Sequence, residues 1–289
     1  MTRKEAGLLL LTSSLGDPGR RPLTPTQYSR LQSRVLAARE VGHGEEVELP
    51  FLLSLGCTAR EGEHVLALLS QTGRLEAYLE KARSRGYDCI TRLSPRYPKR
   101  LLRVMGPEAP TVLWAWGDPG RLEDRCLGLA GSRDLLPPNA LFAQKAGLEA
   151  ARQGYTLVTG GARGADRVSL ERCLAAGGRV ITVLPDGFLG HLPEKNTLYL
   201  CHDSFDLPFS SGRALARNHI IHAMGGLTLI PQCSLRRGGT WSGAAANLEH
   251  RWSRLGVYGD GSPAALALAS QGAVPLSPED LENLSALCL

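Results

Sequence analysis

Residues 155–166 read Tyr-Thr-Leu-Val-Thr-Gly-Gly-Ala-Arg-Gly-Ala-Asp. Tyr155–Thr159 is a short β-branched and aromatic run, the pattern of a buried strand. Gly160, Gly161 and Gly164 follow, and Asp166–Ala176 then has helical patterning. A strand that turns through glycines directly into a helix is the repeating unit of a parallel, doubly wound sheet. Three glycines let the backbone turn tightly and approach a ligand. The helix behind them presents unpaired N–H groups and the positive end of its dipole, and Arg163 adds a planar donor fork suited to phosphate. An anion site is the preferred reading of this loop, because a glycine-rich strand-to-helix turn is the context such a site requires. The plainer reading is a tight turn in which Arg163 is solvated and Asp166 caps the helix.

The same alternation extends in both directions. Thr111–Trp116, Cys126–Ala130, Arg179–Leu184 and Gly226–Pro231 read as strands, and Ala140–Gln153, Leu215–Ala223 and Ala244–Arg254 as helices. Leu255–Tyr258, Pro263–Ser270, Ala273–Leu276 and Pro278–Leu287 continue the pattern. Ahead of it, a first helix at the N-terminus and then Thr26–Arg39, Leu49–Leu55, Glu61–Ser70 and Leu75–Arg85 are helical, with a faint helix-hairpin-helix flavour around Leu52–Gly56. Met105–Pro110 is a punctuated linker. The expected organisation is a helical N-terminal domain over residues 1–105 and an α/β domain over 106–289, Rossmann-like, with a mostly parallel sheet.

In such a sheet ligands bind at the carboxyl ends of the strands, so the loops there are where function is sought. Gly131–Ser132–Arg133 follows one strand and Pro185–Asp186–Gly187 another. Arg213, Arg217 and Asn218 cluster on one helix. The Gly238–Gly243 stretch, beside Arg236 and Arg237, is a flexible turn resembling an anion nest. None of these is a P-loop, and the dinucleotide fingerprint is not met, which disfavours an ATP or nicotinamide enzyme.

With 289 residues the chain is long enough for two domains. A 43% hydrophobic and 21% charged composition is that of an ordinary globular protein. The net charge of +5 permits a nucleic-acid partner without demanding one. Seven scattered cysteines without a CxxC pair read as reduced thiols in a cytosolic protein, and no apolar stretch is long enough to span a membrane. Residues 81–103 hold eight basic side chains against Asp88 alone, with Tyr87 and Tyr97 interleaved. That run reads either as a track for a sugar-phosphate backbone or as a solvated face. His219 and His222 lack a third metal ligand, and no nucleophile elbow is present. Neither a catalytic set, a metal nor a cofactor is expected.

In order along the chain, several segments resemble the DprA/Smf (DNA-processing protein A) family. They are Ser94–Leu101, Pro110–Gly117, Gly131–Ser132–Arg133, Thr159–Asp166, Val183–Gly187, Arg217–Ile221, Ser242–Gly243 and Gly272–Leu281. The resemblance implies a non-enzymatic cytoplasmic protein that binds single-stranded DNA, forms a homodimer, and hands the strand to RecA during recombination of DNA taken up in natural transformation. Carried over position by position, the DNA pocket would comprise Ser132, Arg133, Gly160, Gly161, Arg163, Gly164, Gly187, Arg217 and Asn218. The chain departs from the family between Gly187 and Arg217, at His219, after Ser242–Gly243, and in lacking a C-terminal winged helix after Leu287. The alternative is a diverged Rossmann-like domain that senses or hydrolyses a small nucleotide. Against hydrolysis, Arg237–Gly238–Gly239–Thr240–Trp241 lacks the spacing and the Glu of base-releasing relatives.

Overall fold

A computed structural model of the chain describes residues 1–38 and 47–288. Five helices come first: α1 (Arg3–Thr12), α2 (Pro25–Ala37), α3 (Leu49–Ser54), α4 (Ala59–Leu69) and α5 (Thr72–Ser84). Their starts are chemically marked. Thr2 with Glu5, Thr24 with Gln27 and Thr58 with Glu61 each form a reciprocal capping box that satisfies two orphan backbone donors. Arg39, the last residue of the expected second helix, lies outside the described residues.

Strand β1 (Asp88–Thr91), helix α6 (Lys99–Met105) and β2 (Val112–Trp116) lead into the alternating part. It runs β3 (Cys126–Leu129), α7 (Pro137–Arg152), β4 (Thr156–Thr159), α8 (Ala165–Ala175), β5 (Arg179–Val183), β6 (Thr197–His202), α9 (Ser211–Met224) and β7 (Leu227–Ile230). Then come α10 (Gly238–His250), β8 (Arg254–Tyr258), α11 (Pro263–Ser270), β9 (Val274–Leu276) and α12 (Leu284–Leu287).

The strands form one sheet of nine in the order β1-β2-β6-β5-β4-β3-β7-β8-β9. The seven from β6 to β9 are parallel, whereas β1 and β2 are attached antiparallel at one edge. The expected α/β, Rossmann-like class is therefore observed. Alternation along each strand feeds two cores. Leu157 and Val180 face a layer built from Phe142, Ala146 and Ala150 of α7 with Leu170 and Cys173 of α8. Their neighbours Val158 and Ile181 face the opposite layer, made by Ile220, Ile221 and Met224 of α9 with Leu101 of α6.

Residues before 105 do two things. Leu11 of α1 joins Leu52, Val65 and Leu68 in a small helical core. Leu9 and Leu10 of α1, with Leu75 and Tyr78 of α5, pack on Val112 and Trp114 of β2 at the antiparallel edge of the sheet. There Tyr78 stacks on Phe205 with ring centroids 4.3 Å apart, and the Trp114 indole donates to the Asp203 carbonyl at 3.0 Å.

Five features differ from the sequence reading. Strands β1 and β6 and helix α6 were not expected. The Gly238–Gly243 stretch, read as a flexible turn, opens α10, which starts at Gly238 instead of Ala244. That helix also ends early, at His250, because Arg251 takes a left-handed cap (φ 54°) and β8 begins at Arg254.

Candidate nucleic-acid interface

The chain winds from β3 through β6 towards one side of the sheet, then returns to β7 beside β3 and builds outward to β9. Between β3 and β7 the winding reverses, and at such a point the loops at the carboxyl ends splay apart and open a crevice. Here they are tied through Gln232: its carbonyl accepts the Ser132 N–H at 2.8 Å, and its side-chain amide accepts the Leu136 N–H at 2.9 Å and donates to the Asp134 carbonyl at 3.1 Å. Above that tie lies a cavity of about 440 Å³, lined from the β3 loop by Ser132 and Arg133, from α9 by Arg217 and Asn218, and from the start of α10 by Arg237 and Thr240. Thr240 donates to the Gly131 carbonyl at 3.0 Å, and the Asn218 amide donates to the Gly239 carbonyl at 3.1 Å, so the three segments hold one another.

Asp166 is the hub beneath the cavity. It is 5% exposed, and its carboxylate accepts the N–H of Gly131 at 3.3 Å and those of Gly160 and Ala162. Burial raises its pKa to about 6, against the opposing pull of the Arg217 charge and these three N–H donors. The amides of the glycine-rich loop thus turn towards a carboxylate supplied by the chain itself.

Arg217 faces that hub from α9. Its Nη1 is 3.7 Å from Asp166 Oδ2, a Coulombic contact beyond hydrogen-bond length. The residue is 7% exposed. Among the described residues neither its Nε nor its Nη1 finds a hydrogen-bond partner. Burial lowers its pKa and the Asp166 charge opposes the shift. His202, at the end of β6, adds no charge nearby, since burial first and the charges of Arg213 and Arg217 second lower its pKa to about 4.

The glycines explain how the guanidinium fits. A Cβ on Gly160 would stand 1.1 Å from Arg217 Nη1, so that position must be bare for the arginine to lie across the loop. Gly164 has φ +87°, and a Cβ there would meet the Ser132 carbonyl oxygen at 2.2 Å, which seats the glycine-rich loop directly under Gly131–Ser132–Arg133.

Of the residues expected in the pocket, Ser132, Arg133, Arg217 and Asn218 line the cavity; Gly160 and Gly164 lie outside the lining but pack against Arg217 and Ser132, which belong to it, and Gly161 lies against Thr182 instead. Gly187 lies outside the lining; it has φ +78° and packs on the Phe205 carbonyl. Arg163 is turned outward to Asp134, 2.7 Å away, with both side chains exposed. Two contributors were not anticipated. Asp166 was read as a helix cap, because its contacts with Gly131, 35 residues away, and with Arg217 on α9 are not visible in local sequence. Phe209, 55% exposed at the cavity's edge, sits in a segment without periodic signal.

The basic run 81–103 does not form one track. Lys81 pairs with Asp206 and Arg83 with Glu80. Arg92 donates to the Pro107 and Ala109 carbonyls. His219 packs on Trp252 with ring centroids 4.8 Å apart and His222 is fully buried. Among the described residues no cluster of three or more His, Cys, Asp or Glu could hold a metal, and no helix is long and apolar enough to cross a membrane.

A profile of the DNA recombination-mediator protein A family matches residues 88–260. The chain belongs to that family. The matched segment begins at β1, so it includes the antiparallel edge as well as the β3–β7 crevice. The DNA processing protein DprA of Bacillus subtilis is 32% identical over 124 residues, covering 43% of this chain and 41% of that protein. Protein Smf of Synechocystis sp. is 25% identical over 238 residues, covering 71% of this chain and 59% of the relative. The matches thus span about half the length of these relatives. Among solved structures, DNA processing protein A of Streptococcus pneumoniae superposes with a TM-score of 0.69 at 20% identity, covering 91% of this chain and 98% of that one. The Helicobacter pylori DNA processing protein A, whose structure concerns its single-stranded DNA binding mode, superposes with a TM-score of 0.58 at 21% identity over 69% of this chain and 95% of that one. These two likenesses are of fold.

Proposed function

We propose that this member of the recombination-mediator family binds single-stranded DNA in the β3–β7 crevice, with Arg217 as its central phosphate contact and Arg133 and Arg237 at the rim. The observation that carries the reading is the state of Arg217. Arg217 lines the cavity, and two nitrogens of its buried guanidinium are without a partner, beside a carboxylate too distant to bond them. A buried donor without a partner costs free energy until something supplies the acceptor, and a phosphodiester oxygen is such an acceptor. Arg133 and Arg237 at the rim and exposed Phe209 add charge and a stacking face, the two components of sequence-tolerant strand binding.

In this reading the protein works in the cytoplasm without catalysis, as a homodimer that passes the bound strand to RecA when DNA taken up in natural transformation is recombined. The family relationship supports these roles. Fluorescence anisotropy of labelled oligo-dT, with duplex DNA and free mononucleotides as competitors at two salt concentrations, tests it. Salt-sensitive binding that neither competitor displaces is expected. No strand binding, or displacement by a mononucleotide, overturns it in favour of a small-nucleotide site.

A further inference from the structure

At the opposite end of the sheet, where β3, β4 and β7 begin, lies a second cavity of about 540 Å³. Four cations line it: Arg96, Lys99, Arg100 and Arg125. None of the four takes part in any ion pair formed among the described residues. Two acids share the lining. Asp124 is already engaged, accepting from the Thr156 hydroxyl at 2.6 Å and facing Arg179 Nε at 3.2 Å, which leaves Glu123 alone against four positive charges.

Two of the cations, Arg100 and Arg125, are held in place, and none of the four is compensated by an ion pair among the described residues. Arg100 is half-buried, and its guanidinium donates to the carbonyls of Ala223 at 3.0 Å and Trp252 at 2.8 Å. Those bonds fix its position without neutralising it. Burial lowers its pKa, and neighbouring Arg103 adds to the effect. Arg125 lies over the Tyr155 ring, 4.5 Å from its centroid, and donates to the phenol oxygen. Arg96 and Lys99 stand exposed at the mouth. Four like charges gathered around one cavity, three exposed and one half-buried, make a positive potential there that favours an anion. The cavity is also within the usual range for ligand sites, roughly 300–1,000 Å³.

We propose that this cavity is a second phosphate subsite, which takes backbone phosphodiesters of the strand whose other part occupies the Arg217 cavity. The proposal rests on the single-strand reading above. The five residues from Cys126 to Ala130 separate the two ends by roughly 17 Å at about 3.3 Å per residue, a distance that a strand of several nucleotides crosses over the surface. The basic run noted in the sequence thus contributes three of its members, Arg96, Lys99 and Arg100, to a built site, while Lys81, Arg83 and Arg92 are spent on the fold.

The test compares the full chain with the double variant Arg96→Gln/Lys99→Gln, using labelled oligo-dT of four and of twenty nucleotides. A control, Arg60→Gln/Arg172→Gln, removes the same charge from exposed positions elsewhere. The four-mer should bind all three proteins equally. The twenty-mer should bind the double variant several-fold more weakly, with a salt slope lower by about 1.4, that is ~0.7 for each of two contacts. Equal twenty-mer binding to wild type and variant, or an equal loss in the control, overturns the subsite. If wild type binds no strand at all, the single-strand reading fails, and the cavity is judged with inorganic pyrophosphate. Pyrophosphate that raises the melting temperature of wild type but not of the double variant upholds a phosphate site there; an equal effect on both overturns it.

Discussion

Arg217 Nη1 lies 3.7 Å from Asp166 Oδ2, both residues buried, yet the carboxylate takes its hydrogen bonds from three backbone amides and none from the guanidinium. The pair is coupled by charge and left open by geometry. Asp166 compensates Arg217 enough for it to stay charged under the crevice, and it draws the β3 loop and the glycine-rich loop together at the same time. Removing the arginine should therefore act on binding and on stability. In Arg217→Gln, oligo-dT affinity falls and the salt slope drops by ~0.7. Chemical denaturation at pH 8 should show a loss of about 3 kcal/mol, the cost of leaving a buried charge without its partner. Unchanged affinity would remove Arg217 from the strand site.

Asp166 also carries a pH signature. Its folded pKa of about 6 stands above the ordinary 3.8, so between those values the folded state holds more protons than the unfolded state. Stability from this group is then fully present below pH 3.8 and is lost as pH rises through 6. The shift of 6 − 3.8 = 2.2 corresponds to about 3 kcal/mol. Denaturation midpoints of wild type and Asp166→Asn measured from pH 4 to pH 7 should show the stability difference between them changing by about that amount in the direction that disfavours wild type at high pH. A pH-independent difference would contradict the assignment.

Two glycines of one loop should separate binding from folding. In Gly160→Ala the new methyl would occupy the place of Arg217 Nη1, the end of a side chain that can swing away. Strand affinity should fall to the level of Arg217→Gln while the chain still folds. In Gly164→Ala the methyl meets the Ser132 and Arg133 carbonyls at a φ of +87°, and main chain cannot yield as a side chain does. A stability loss of about 2–4 kcal/mol is expected there. Parallel melting curves and anisotropy titrations of the two variants check the contrast.

Phe209 offers a cleaner probe of the strand itself, because it is 55% exposed. Phe209→Ala should leave the melting temperature unchanged and weaken oligo-dT binding by ~1–3 kcal/mol, the contribution of one stacked base. A competition series with an abasic oligomer distinguishes stacking from phosphate contact: the variant and wild type should bind the abasic strand equally.

Much of the fold was legible because strand and helix periods are local properties. Leu157 and Val158 had to face opposite layers once they lay in one strand, and the glycines after Thr159 had to turn the chain into α8. Strand β6 escaped because Thr197–His202, buried almost throughout between β2 and β5, is a near-continuous apolar run without alternation. The start of α10 escaped because Gly238 and Gly239 are poor helix formers in isolation, and tertiary contacts such as Asn218 to the Gly239 carbonyl override that preference.

The amino-acid sequence alone determined the α/β class, most of the succession of strands and helices, and four of the residues that line the cavity, Ser132, Arg133, Arg217 and Asn218, since each rests on residue types read over a short window. Only the tertiary structure decided what those residues do. It turned the amides of the glycine-rich loop towards Asp166, left Arg217 with free donors, sent Arg163 out to Asp134, and divided the basic run between ion pairs and a second cavity. Those outcomes depend on which loops the sheet brings side by side. That is a matter of strand order and burial, and no local pattern encodes it.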